Sequence, residues 1–245
     1  MIWMPTVSAV EEVHYGLVAL FEKEEDPVSP AGIKSADMLA SACSRPHTGI
    51  GNTDKYDTLY RKAAALFHSL TKNHPFHNGN KRTALITLLT TLSRNDRRLK
   101  QDVNDDEIFD FVVAVTADEF PNATKRLEPD AVVEEIAKWL KERTVAKKGT
   151  TPGMTTSEFI SRCKQAGVKY KQAKGGTHCL LNGMGVRISQ STKQLDGGVV
   201  RQYLKRLKLN ELQAGFGVDE FQQGTSLDRE QIYRYMAALK RLAKT

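Results

Sequence analysis

In the stretch HPFHNGNKRTALITLL (74–89), a loop with two histidines, a glycine and two asparagines runs through two adjacent cations into an apolar helical pattern. Cations are electrostatically misplaced at a helix amino end, which already carries partial positive charge. A bound anion removes the conflict, because backbone amides at a helix start lack intrahelical partners and attract negative groups. Gly79 would let the backbone approach a ligand closely. Asn80 can donate from its amide, and Lys81 and Arg82 add full positive charge. Gly79, Asn80, Lys81 and Arg82 therefore read as a phosphate cradle.

The elements around this loop read as helices. Leu59, Ala63, Leu66, Phe67 and Leu70 share one helical face over 58–70. Pro75 biases His74 away from helical geometry, so that helix should end just before it. The next begins near Asn80 and is apolar on most sides, as expected at the centre of a bundle. Further helices are expected over 8–23, 34–44, 105–119 and 130–143. No convincing strand set appears among them, so this part should be mostly α.

Charge divides the chain. Residues 1–149 hold 20 Lys+Arg and 22 Asp+Glu, whereas residues 150–245 hold 16 and 7. Such asymmetry implies two units with different partners, the basic one suited to a polyanion. The polar run RTVAKKGTTPGMTT (143–156), with Gly149, Pro152 and Gly153, suits a linker. No apolar run approaches the roughly 20 residues of a membrane span, and with no basic region followed by an apolar core at the amino end, no signal peptide is expected. Three cysteines without metal-ligand spacing fit a reduced, cytoplasmic setting.

The second half reads as α-β-β-β-α. Thr155 and Glu158 start a helix as a capping box. The pieces VKY, THCLL and GVRIS read as strands, with Asn182-Gly183 as a hairpin turn. Arg201, Lys205 and Arg206 flank the closing helix. A last helix is expected over 226–245, with Ile232, Tyr235, Met236, Leu239 and Leu242 as its apolar face.

HPFHNGNKR resembles the motif HxFx(D/N)(A/G)NKR of the death-on-curing (Doc) branch of the Fic/Doc superfamily. The resemblance covers roughly residues 7–143. It implies a helical fold that transfers part of ATP, with Mg²⁺, onto a hydroxyl of a target protein. His74 would then be the general base. Asn78, Gly79, Asn80, Lys81 and Arg82 would bind the nucleotide, with Arg82 stabilising developing charge. Asn78 stands where the family often has an acidic metal ligand and would be an uncharged ligand to Mg²⁺. Lys81 replaces a glycine of the AMP-transferring Fic enzymes, and Leu85 replaces their second arginine. By resemblance this implies a protein kinase that uses the γ-phosphate. Its implied partners are translation elongation factor Tu as target and a cognate antitoxin. RPHTGIGNT (45–53) reads either as a flap that positions the target or as a plain interhelical loop.

The second half resembles a HicA-type module with a double-stranded-RNA-binding-like fold. The resemblance rests on SEF (157–159), AGV (166–168), GGTH (175–178), RIS (187–189) and VVRQYLKRLKL (199–209). It implies RNA binding through Arg201, Lys205 and Arg206, and His178 as the residue of an RNA-cleaving strand. Ser226 and Glu230 faintly resemble the inhibitory helix motif of some Fic proteins, but Gln231 breaks that pattern. The expected organisation is a Fic/Doc-like transferase domain (1–144), a linker (145–154), a HicA-like domain (155–210), and a tail with a helix (211–245). The expected function is that of a cytoplasmic, toxin-like kinase with an RNA-binding module. The alternatives are an AMP-transferring Fic enzyme, or an inactive Fic fold acting through RNA binding or cleavage.

Overall fold

A computed structural model describes residues 2–51, 53–124, 127–146, 153–173, 175–182, 184–209, 221 and 232–245. Gly183 of the expected hairpin turn lies outside the described residues. So do linker residues 147–152 and, in the tail, Ser226, Glu230 and Gln231. The chain divides into two compact units. The first is Met1–Lys147 together with Asp228–Thr245, and the second is Lys148–Leu227.

The first unit is built on helices whose starts the sequence writes locally. Thr6 caps α1 (Val7–Phe21), Ser35 caps α2 (Ala36–Ser44) and Thr58 caps α3 (Leu59–Asn73), each accepting a backbone N–H of the first turn. In α4 (Asn80–Arg94) every residue from Arg82 to Ser93 is buried, as its apolar girth demands. Asn104 caps α5 (Asp105–Thr116), and Pro129 opens α6 (Pro129–Arg143) at a position where its missing N–H costs nothing. α3 packs against both α4 and α6, and α1 covers α4. The motif loop joins α3 to α4 at the centre of this bundle.

Short strands join the helices of this mostly α unit, where no convincing strand set was expected. β1 (Gly49–Ile50) and β2 (Thr53–Asp54) form a hairpin after a 3₁₀ turn at Arg45–His47, where a flap or a plain loop was expected. β3 (Arg97–Leu99) pairs antiparallel with β4 (Thr144–Ala146), Leu99 opposite Thr144. The chain beyond Arg143, expected to begin a linker, therefore first adds a strand. Thr144 is buried there and donates to Tyr60 Oη at 2.8 Å.

The second unit follows α-β-β-β-α with two short strands added. α7 (Thr156–Gln165) is preceded by β5 (Met154–Thr155). β6 (Lys169–Gln172), β7 (His178–Leu181) and β8 (Val186–Ile188) form an antiparallel sheet with β7 in the middle. β9 (Gln194–Leu195) pairs with β5, and α8 (Gly197–Arg206) follows. Phe159, Cys163, Leu180, Ile188, Val200 and Leu204 are among its core residues.

The last helix, α9 (Met236–Leu242), belongs to the first unit, where it packs against α5 and α4. Ile232, Tyr235, Ala238, Leu239 and Leu242 join that unit's core. Polar contacts fix its register: Ala238 N donates to Asp105 Oδ1 at 3.0 Å, Lys240 pairs with Glu24 at 2.6 Å, and Arg241 pairs with Asp106. Among the described residues no helix is long and apolar enough to cross a membrane.

Candidate active site

His74 ends α3 in the left-handed conformation, φ 46° and ψ 56°. A side chain with a Cβ seldom adopts it, and such strain collects at functional positions. It turns the chain out of α3 so that Pro75 and Phe76 dive back inward. Phe76 is 2% exposed and stacks on the His14 ring. Asn80 braces the turn: its Oδ1 accepts from Phe76 N and its Nδ2 donates to Phe76 O, both at 2.9 Å. The Asn80 amide, expected to donate to phosphate, is thus turned onto the loop's own backbone.

Gly79 precedes α4 with φ 72°, and a Cβ on it would lie 2.8 Å from Val28 Cγ1. Its bareness therefore serves both the turn and close packing against residue 28. No side chain caps α4. The amides of Asn80, Lys81 and Arg82, which precede the first intrahelical bond from Thr83 N to Gly79 O, remain available to an anion.

The two cations sit differently. Arg82 is 2% exposed; its Nη1 donates to Asp26 O at 3.0 Å, its Nη2 to Asn78 Oδ1 at 3.4 Å, and its guanidinium lies 5.0 Å from the Phe21 ring centre. Lys81 reaches the other way and donates to Thr245 Oγ1 at 3.0 Å. Burial lowers the pKa of both side chains, with Asp26 opposing the shift at Arg82. His74, Asn78, Gly79, Asn80, Lys81 and Arg82 line one cavity of about 200 Å³ with His77, Leu242, Ala243 and Thr245. That volume lies below the roughly 300–1,000 Å³ of whole-ligand pockets and suits a phosphate tail.

Electrostatics favour the neutral form of His74. Partial desolvation first, then Lys72, Lys81 and Lys34, hold its pKa below the ordinary imidazole value. The ring is therefore neutral near pH 7, with a lone pair to take a proton. Asn78 does not fit a protein-held Mg²⁺. Its Oδ1 already accepts from Gly79 N at 2.5 Å and from Arg82, and its Nδ2 donates to Ser29 O at 2.6 Å. A guanidinium thus stands where a metal cation would have to approach. Among the described residues no group of three or more His, Cys, Asp or Glu could hold a metal.

Sequence reasoning did not single out the segment that grips this loop. Lys34 N and Ser35 N both donate to Pro75 O, and His77 N donates to Gly32 O. Ile33 bridges to Phe76, and Asp26, Val28 and Ser29 make the contacts given above. Nor did it place Leu242, Ala243 and Thr245 in the cavity wall.

The remaining candidates lie in the second unit. His178 sits in the central strand β7, its Nδ1 2.9 Å from Tyr170 Oη. Arg201, Lys205 and Arg206 are exposed on α8. This unit holds 12 Lys+Arg against 5 Asp+Glu, and the first holds 24 against 24, so the chain's net charge of +7 resides in the second.

The Fic/DOC family matches residues 6–92, inside the first unit. Toxin Doc of Mycolicibacterium smegmatis (strain ATCC 700084 / mc(2)155) is 33% identical over 105 residues, which cover 43% of this chain and 75% of that protein. No solved structure matches.

Proposed function

The chain belongs to the Fic/DOC family, and from that premise we propose that it is a toxin-type enzyme moving the γ-phosphoryl group of ATP onto a hydroxyl of a target protein. The observation that carries this reading is the uncapped start of α4, where Lys81 and Arg82 line one cavity with His74. His74 takes the proton of the attacking hydroxyl while its oxygen bonds to the γ-phosphorus. The bond from that phosphorus to the β–γ bridging oxygen breaks, and ADP leaves. Charge developing on the transferred group and the leaving oxygen meets the helix amides, Lys81 and the fixed guanidinium of Arg82. Asp26, Asn78 and Phe21 already hold Arg82 in place, so it needs little reorganisation.

The choice of γ- over α-phosphate rests on Lys81 and Leu85. A long cation stands at the glycine of AMP-transferring enzymes, and position 85 is a core leucine, 1% exposed, that supplies no phosphate ligand. Translation elongation factor Tu is the expected target, and an antitoxin the expected regulator. The test is incubation of the full chain with lysate and either γ- or α-labelled ATP. Label from γ alone supports the kinase. Label from α means AMP transfer, and no label from either means an inactive fold.

A second role is favoured by the charge of the second unit. We infer that it binds structured RNA through the α8 face bearing Arg201, Lys205 and Arg206, in the manner of the HicA-type modules it resembles. The pairing of His178 with Tyr170 leaves an imidazole on the sheet that either contacts or cleaves that RNA. Loss of cleavage in His178→Ala with binding retained would identify a nuclease; a parent that binds without cleaving is a targeting module.

A further inference from the structure

His14, on α1, is 0% exposed and takes no part in the chemistry described above. Its imidazole touches three separate pieces of the site. The ring stacks on Phe76, with centroids 4.1 Å and planes 11° apart. Nε2 lies 3.1 Å from Gly32 N, and Nδ1 lies 3.2 Å from Thr83 Oγ1. A backbone N–H can only donate, so Nε2 carries the lone pair. The neutral ring's proton then sits on Nδ1 and is donated to Thr83.

Each contact leads to the catalytic loop. Gly32 O accepts from His77 N at 3.1 Å, and Lys34 N and Ser35 N bind Pro75 O at 2.7 and 3.0 Å. Phe76 is two residues from His74, and Thr83 is in the first turn of α4, beside Lys81 and Arg82. An apolar side chain of similar size would fill the space but leave the Gly32 amide without its acceptor. Burial, and secondarily Arg82, hold the imidazole pKa down to about 4, so the accepting lone pair persists at neutral pH.

We propose that His14 is a positioning residue for the transfer reaction. One buried imidazole ties segment 29–35, Phe76 and the start of α4 together, and so fixes His74 relative to the phosphate cradle. The kinetic consequence rests on the transferase reading; the structural one does not.

Three variants of the full chain separate the contacts. His14→Gln returns an acceptor near the place of Nε2, His14→Asn offers a polar group only near Nδ1, and His14→Leu offers neither. Two quantities are measured: hydrogen exchange of backbone amides, and steady-state transfer of label from γ-labelled ATP. In His14→Leu and His14→Asn, the Gly32, Lys34, Ser35 and His77 amides should exchange about tenfold faster or more, while α3 and α6 are unchanged. In the same variants kcat should fall about 10–100-fold, since misplacement of about 1 Å can cost that much, with KM for ATP within about twofold. His14→Gln should recover most of both losses. Unaltered loop exchange in His14→Leu overturns the positioning role whatever the activity. So does a His14→Gln variant no better than His14→Leu, or exchange that rises equally in α3 and α6. A parent chain that moves no label overturns the transferase reading instead, and the exchange series still decides the fate of His14.

Discussion

At the scale of single residues, His74, the proposed base, sits in a left-handed backbone turn among three lysines. Replacing it by alanine should cut transfer by about 10²–10⁴, the usual cost of losing a general base. Labelled-phosphate transfer checks the rate, and an unchanged circular dichroism spectrum checks the fold. Lys81→Gly is a finer probe. Its ammonium disfavours the imidazolium, so its removal should raise the His74 pKa towards the ordinary value. A base must be neutral, and activity is lost as pH falls through its pKa. The His74 imidazole, followed by NMR without any turnover, should therefore titrate at higher pH in the variant than in the parent. The same variant should lose γ-phosphoryl transfer. A titration that does not move, or full retention of that transfer, contradicts the role given to Lys81. The motif residues were legible because they are contiguous and chemically dense. His14 was not, although it shares the buried face of α1 with Val10, Val13, Leu17 and Phe21. A histidine inside such an apolar stripe is the signal that could have found it.

At the scale of elements, α1 to α6 were legible because periodicity ran over several turns, and their observed ends fall close to the expected ones. β3 and β4 were not, being three residues each and separated by two helices; nothing local in Arg97–Leu99 names Thr144–Ala146 as its partner. α9 was half legible. Its apolar face could be read, but an apolar face does not say which core it enters. Leu239 is 0% exposed in the core of the first unit. Leu239→Ala should cost about 2–5 kcal/mol, the range for emptied leucine sites. Urea titration, with transfer activity as the probe of the first unit, measures it. Lys240→Ala and Lys244→Ala, at exposed ion pairs, should each move the urea midpoint far less than Leu239→Ala does. A Leu239→Ala chain as stable as its parent would mean that α9 is not part of that core.

At the scale of the whole molecule, the charge contrast could be read from the sequence as two halves. The structure moves the boundary, because residues from Asp228 onward return to the first unit. That unit becomes neutral and the second holds the whole excess of +7. RNA affinity of the full chain should therefore fall as a power of salt concentration. Replacing Arg201, Lys205 and Arg206 together by alanine should reduce the slope of log K against log salt by up to about 3, using about 0.9 per phosphate contact as on B-form DNA. A shape-reading interface should also bind double-stranded RNA better than DNA of the same sequence. Filter binding at several salt concentrations measures both, and an unchanged slope would place the RNA face elsewhere.

The return of α9 also bears on how the protein is born. On a ribosome the helices up to Arg143 emerge first, yet the core of their unit lacks Ile232, Tyr235 and Leu239 until those residues are translated. At about 5–20 residues per second, that leaves a nascent chain with an unfinished first unit for roughly 5–20 s. Through that interval its cavity wants Leu242, Ala243 and Thr245 as wall, and the parts of α4 and α5 that α9 covers await their partner.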